Sequence, residues 1–194
     1  PIFFKQYWSA GTDPTVSTAN LGLANSAASA FIAIAAPVLG AIADRGHSKK
    51  TFLFFFTGIG ILMTCLFYFI PRGEWQTAAA LYVLAMVGYS GSFIFYDALL
   101  TTVASEKETD RVSSLGFALG YLGGGILFAL NVWMTLKPGD FGLTGAGEAV
   151  RLSFLTVGLW WAFFSLPLFF LVREPPRPRE RTLPLVIREG LRQL

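Results

Sequence analysis

Five long apolar stretches set the fold class of this chain, because each is long enough to cross a lipid bilayer. They lie at about 19–43, 51–71, 78–104, 112–136 and 151–172. A transmembrane helix needs about 20 mostly apolar residues, and only helices and closed barrels satisfy the backbone polar groups inside a bilayer. The sequence therefore predicts an all-α integral membrane protein with five complete spans.

Composition supports a membrane protein and excludes several other classes. Hydrophobic residues make up 54% of the chain and charged residues 14%, whereas charged residues make up about 25% of soluble proteins. The net charge of +3 does not indicate nucleic-acid binding, because the basic residues separate apolar stretches. An intramembrane enzyme would need a nucleophile with its base, a carboxylate pair or a set of metal ligands. The pattern predicts none of these, and no cofactor or metal site.

The basic residues also predict the orientation of the spans. Eleven of the fifteen Lys and Arg residues fall on alternate connections, and only Lys5, Arg72, Lys137 and Arg151 fall on the other side. Positive charge favours the cytoplasmic side of a membrane. The sequence therefore predicts that 44–50, 105–111 and 173–194 are cytoplasmic. Trp8, Trp75 and Trp133 are predicted at the outer ends of the spans, where indole rings favour the headgroup region.

The two ends of the chain differ in character from the five spans. Residues 1–8 resemble the tail of a helix whose beginning is missing, so the bundle is expected to occupy 1–172 with a truncated first helix. Residues 173–194 combine arginines with prolines and are predicted to form a cytoplasmic linker. A short amphipathic helix is expected there, beginning near Pro184, as a lipid anchor or a hinge.

Polar residues inside the spans mark where a helix packs or lines a cavity. Asn25 and Ser29 lie four residues apart on one helical face, and Asn131 lies in a later span. They are predicted either to line a cavity or, for Asn25 and Ser29, to hydrogen-bond a neighbouring helix. Tyr89 and Tyr96 share a face with Phe93 and predict either aromatic packing or a binding surface.

Asp97 is the only ionisable side chain well inside an apolar stretch. A carboxylate in the hydrocarbon costs about 2.5 to 3.5 kcal/mol on insertion scales, so it indicates a functional contact or a buried pair. Its position towards the basic connection favours a structural or gating ion pair, with Arg45 as the suggested partner, over direct proton coupling.

Two glycine-containing motifs resemble those of the major facilitator superfamily of secondary transporters. The turn between the first two spans matches its Gly-x-x-x-Asp-Arg-x-Gly-Arg-Arg/Lys motif at Gly40, Asp44, Arg45, Lys49 and Lys50. A later span carries a face of glycines at Gly116, Gly120, Gly124 and Gly125, like the Gly-x-x-x-Gly-Pro-x-x-Gly-Gly of many antiporters, with Tyr121 at the Pro. Such a face is predicted to let another helix approach closely. The resemblance implies the N-terminal six-helix bundle of that fold, with a gating turn and a missing C-terminal bundle.

Longer sequence segments are similar to those of the vacuole-effluxer-like branch of that superfamily. They include Lys5-Gln6-Tyr7-Trp8, Pro37-Val38-Leu39-Gly40-Ala41-Ile42-Ala43-Asp44-Arg45-Gly46 and Phe95-Tyr96-Asp97-Ala98-Leu99-Leu100. This resemblance implies transport of a small molecule by alternating access, with amino-acid efflux suggested by the fungal members, and a bacterial inner membrane is the expected location. The alternative is a non-transporting helical membrane protein that serves as an assembly or receptor-like module, because polar residues and glycine faces also serve helix association.

Overall fold

The computed structural model of the chain describes residues 2–45, 48–105 and 107–174, with the backbone alone at Arg45, Thr101 and Thr102. Five long helices run through this part: α1 Pro14–Arg45, α2 Lys49–Leu66, α3 Trp75–Val103, α4 Thr109–Leu136 and α5 Ala146–Leu171. A π-helical turn, Phe4–Trp8, precedes α1, and 3-10 turns follow α2 and α4 at Phe67–Phe69 and Pro138–Phe141. All five helices are long and apolar enough to cross a membrane, which confirms the predicted spans. The predicted amphipathic helix lies outside the described residues.

A side-chain cap accounts for the start of α1 before its apolar stretch, and side-chain hydrogen bonds tie the preceding turn to the first turn of α5. Asp13 Oδ1 accepts hydrogen bonds from Thr15 N at 2.8 Å and from Val16 N at 3.4 Å, which satisfies two free N–H groups of α1. These backbone donors hold the pKa of Asp13 below its usual range. At α5, both the N–H and the hydroxyl of Thr144 donate to Glu148 at 2.8 Å.

The helices pack so that α3 and α4 hardly touch each other. α3 packs between α1 and α2, α2 packs between α3 and α5, and α4 packs mainly on α5. One buried cluster lies at the end of the bundle that holds Lys49, and its members are Ile42, Ala43, Leu53, Phe95 and Leu99. A second lies at the opposite end, with Phe4, Trp8, Phe67, Ile70 and Ala78. We call the first end, formed by 44–45, 48–50, 104–105, 107–108 and 172–174, the basic end.

Glycines allow α2 and α3 to cross with their backbones close together. A Cβ atom added to Gly88 would lie 2.5 Å from Gly60 N and 2.8 Å from Gly60 Cα. On the neighbouring face of α2, Gly60 lies against the indole ring of Trp161 from α5. Small residues allow this approach because association inside a membrane depends on close packing rather than on a hydrophobic driving force.

Two tryptophans at the end opposite the basic end, Trp8 and Trp133, differ in their exposure. Trp133 is 53% exposed, and its Nε1 donates to Asp140 at 3.2 Å. Trp8 is only 5% exposed, and its ring lies 5.2 Å from that of Phe67 and 5.5 Å from that of Phe154. Trp8 therefore lies at the predicted end of the bundle, but its ring packs in an aromatic core rather than on the surface.

Candidate functional site: a cavity between α3 and α4 and the basic end

The separation of α3 from α4 creates a cavity of about 530 Å³ in the membrane-spanning part of the bundle. Its α3 wall includes Tyr89, Phe93, Tyr96 and Asp97, its α4 wall includes Ser113, Gly116, Phe117, Gly120 and Tyr121, and α5 adds Leu168. The volume lies within the range of about 300 to 1,000 Å³ that is typical of small-molecule sites. The cavity occupies the half of the bundle nearer the basic end.

Three aromatic rings of α3 form a continuous wall along this cavity. The ring centroids of Tyr89 and Phe93 are 6.1 Å apart, and those of Phe93 and Tyr96 are 6.3 Å apart. Across the cavity, a Cβ atom on Gly116 would lie 3.4 Å from the hydroxyl oxygen of Tyr96. Both tyrosines named from the sequence therefore face the cavity, which favours a binding surface over simple packing.

Asp97 lies at the end of this aromatic wall and is the one charged side chain among the residues that line the cavity. Its carboxylate is exposed and forms no ion pair or hydrogen bond with a described side chain. The predicted pair with the basic turn is not made by Lys49, whose ammonium donates to the carbonyl of Ala98 at 2.8 Å. The suggested pairing with Arg45 stays a prediction, because the side chain of Arg45 lies outside the described part.

The two lysines at the start of α2, Lys49 and Lys50, donate to backbone carbonyls of neighbouring helices, and Lys50 binds the end of α5. We call them the lysine pair. Lys50 Nζ donates to Phe169 O and to Val172 O, each at 2.6 Å, and its backbone N–H donates to Glu174 at 2.9 Å. The last carbonyls of a helix have no partner within it and favour a cation. The pair therefore joins α2 to α3 and α5 at the basic end.

Asp44 and Gly40 of the turn motif make no such contacts within the described part of the chain. Asp44 is exposed near the end of α1 and has no hydrogen-bond or ion-pair partner among the described residues. A Cβ atom on Gly40 would meet no described atom within 4 Å. Gly40 is therefore not needed for a close helix approach within this part of the chain.

The predicted close packing on the α4 glycine face is also absent from the described part of the bundle. Cβ atoms on Gly120, Gly124 and Gly125 would meet nothing within 4 Å. The physical reason is the docking of α4, which approaches α5 through other residues and turns this face to the cavity and the exterior. Gly123, for example, lies near Trp160 of α5, with 3.9 Å between the added Cβ and the indole nitrogen.

The polar residues of the spans mostly join helices. Tyr82 of α3 donates to Asn25 Oδ1 at 2.8 Å, and Thr156 of α5 donates to Asn131 Oδ1 at 2.9 Å. Neither asparagine lines the cavity between α3 and α4. Asn25 makes a hydrogen bond to a neighbouring helix, as its alternative predicts, and a cavity-wall role for Asn131 stays a prediction. Ser29 is exposed on α1 and does not line it either.

The α4 side of the cavity contains residues that the sequence reasoning does not single out as lining. Phe117 and Tyr121 lie four residues apart, next to the glycine face, and Tyr121 is 80% exposed. Their spacing is a usable signal, because large side chains one turn apart beside small ones predict a groove. The sequence alone does not show that α3 forms the opposite wall of that groove.

Comparisons with known proteins place this bundle in a family. The sequence profile described as "vacuole effluxer Atg22 like" matches residues 13–194. Over 184 residues, 90% of this chain and 43% of the other protein, the chain is 33% identical to the uncharacterized MFS-type transporter YxiO of Bacillus subtilis (strain 168). Over 193 residues it is 23% identical to autophagy-related protein 22 of Yarrowia lipolytica, covering 70% of this chain and 32% of that protein. No solved structure matches the chain.

The chain spans less than half the length of these two relatives. The family profile nevertheless covers all five long helices and both glycine motifs. The all-helical bundle, the five membrane-spanning helices and the names of the relatives agree with one another. The chain therefore belongs to the vacuole effluxer Atg22-like family of MFS-type membrane transporters.

Proposed function

We propose that the full-length protein is a secondary active transporter that exports a small solute, with amino acids as the first class, by alternating access. The observation that carries this proposal is the cavity of about 530 Å³ between α3 and α4, with one carboxylate and an aromatic wall. Alternating access moves one bundle against another around a site near the middle of the membrane. The second bundle would come from the rest of the same protein, since the relatives are more than twice as long.

Asp44 supports a role at the contact between bundles. It lies near the C-terminus of α1, where the helix dipole disfavours a negative charge. No described group offsets that cost, since Asp44 has no partner among the described residues. An unfavourable charge on the surface of the basic end is readily explained if it binds a group of the second bundle in one state of the cycle.

Asp44→Asn in the full-length protein is expected to reduce export by about tenfold or more, because a charge-assisted contact between bundles is worth about 1.5 to 3 kcal/mol. The measurement is efflux of a mixture of labelled amino acids from proteoliposomes. The variant is expected to fold at least as well as the parent, because a charge that its own helix dipole disfavours is removed.

Asp110→Asn is the matched control, since Asp110 is an exposed aspartate at the same end but lies in the first turn of α4, where the dipole favours it. Equal export by the parent and by Asp44→Asn would contradict the gating role. Export of no amino acid by the parent would contradict the proposed substrate class.

We further propose that the protein resides in a bacterial plasma membrane with 44–50, 105–111 and 173–194 in the cytoplasm. The excess of basic residues on these segments supports the orientation. The similarity to the Bacillus subtilis transporter supports the location. In this orientation the cavity between α3 and α4 lies on the cytoplasmic side of the membrane centre.

A further inference from the structure

The chemistry of the cavity between α3 and α4 is more specific than transport of a small solute requires. Asp97 brings a negative charge into a space whose other described lining residues are apolar or hydroxyl-bearing, with no basic side chain among them. The hydroxyls of Tyr96 and Tyr121 have no described partner, so they remain available to a ligand. The site is thus complementary to a ligand with a positive group and an apolar body.

The two lysines at the start of α2 do not neutralise Asp97 in the described part of the chain. Lys49 uses its ammonium on the carbonyl of Ala98, and Lys50 binds the end of α5. Aromatic rings line the same cavity as the carboxylate, and ring faces attract ammonium groups within about 6 Å of the centroid. A carboxylate beside such rings, within a cavity of ligand size, is the usual chemistry for binding an amine.

We propose that this cavity binds the ammonium group of a solute, with the Asp97 carboxylate as its acceptor and the Tyr89, Phe93 and Tyr96 wall against its apolar body. This inference rests on the proposed transport function and adds to it the chemical class of the ligand. The required group is a protonated amine, whether it belongs to an amino acid or to a simple amine. A carboxylate on the ligand is not required at this site.

Three probes of similar size separate these possibilities in the full-length protein: phenethylamine, phenylalanine and 3-phenylpropionate. Equilibrium binding to protein in detergent is measured for each, independently of transport. We expect phenethylamine to bind and 3-phenylpropionate to fail. Binding by phenylalanine as well would identify amino acids as a source of the amine, and its failure beside phenethylamine binding would identify simple amines. Equal binding by 3-phenylpropionate would overturn the proposal.

Asp97→Asn is expected to weaken phenethylamine binding by at least about tenfold, and Asp97→Glu to restore most of it, because charge-assisted hydrogen bonds are about twice as strong as neutral ones. Gly120→Leu provides a second variant that keeps the carboxylate, since a Cβ there meets nothing within 4 Å and the residue lines the cavity. Gly125→Leu is its matched control, five residues further along α4 and outside the cavity lining. Loss of binding is expected for the first leucine and not for the second.

Two further results would overturn the amine site, and neither depends on the transport assay. One is unchanged phenethylamine binding in both Asp97→Asn and Gly120→Leu. The other is loss of stability in Asp97→Asn and Arg45→Gln together with no change in binding, which would assign Asp97 to an ion pair. Amino-acid export that persists beside either result would leave the proposed function intact. Amine binding without any export would support the amine site and contradict the proposed transport function.

Discussion

Gly88→Ala is expected to lower the free energy of unfolding by about 2 kcal/mol or more, since overpacking a close-packed interface costs about 1 to 3 kcal/mol and sometimes more. The added methyl group would lie 2.5 Å from Gly60 N and 2.9 Å from Phe56 O. Both are backbone atoms of α2, so no side chain can rotate away. α2 and α3 must separate, which weakens the most extensive helix pair in the bundle.

Unfolding of the full-length protein in mixed detergent micelles, titrated with a denaturing detergent, measures this change. Gly58→Ala is the matched control. Gly58 lies in the middle of α2, as Gly88 lies in the middle of α3, but a Cβ there meets nothing within 4 Å. The control is expected to be neutral or up to about 1 kcal/mol more stable, through helix propensity alone. Equal stability of the two variants would show that α2 and α3 do not cross at Gly60 and Gly88.

Lys50→Met is expected to lower the free energy of unfolding by about 2 kcal/mol, because hydrogen bonds to a charged group contribute about 1.5 to 3 kcal/mol. Methionine keeps most of the aliphatic chain but leaves Phe169 O and Val172 O at the end of α5 without their donor. The loss is local, so α5 is expected to fray at the basic end before the rest of the bundle unfolds.

Hydrogen exchange of the last turn of α5, together with the same detergent titration, tests this prediction. Lys107→Met is the control, since Lys107 is an exposed lysine at the same end. A surface change of this kind is expected to stay within about 0.5 kcal/mol of the parent. Unchanged exchange at 169–172 in Lys50→Met would mean that the lysine pair does not hold α5.

Much of the architecture follows from the sequence, because span length is a local property. Apolar stretches of 20 or more residues predict the helices, and caps such as Asp13 account for the residues that precede the first stretch. The placement of Tyr89, Phe93 and Tyr96 on one surface also follows, since residues spaced i, i+4 and i+7 share a helical face.

Pairing between helices could not be predicted in the same way. The glycines with the regular spacing, Gly120 and Gly124, meet no helix in the described part, whereas Gly60 and Gly88 meet each other. Which small residues come together depends on how two distant helices dock, and sequence spacing within one helix does not contain that information. The same holds for Lys49, whose partner is a backbone carbonyl that carries no sequence signal.

The central claim is that the cavity between α3 and α4 is part of the solute pathway. Its most direct test is the rate at which a membrane-impermeant maleimide modifies Ser113→Cys in the full-length protein in proteoliposomes, with Cys65 replaced by alanine. Ser113 lines the cavity and is half-buried. We predict modification from the face that holds the basic end, slowed several-fold by an exported amino acid. Modification at the same rate with and without that solute, or from neither face, would contradict the claim.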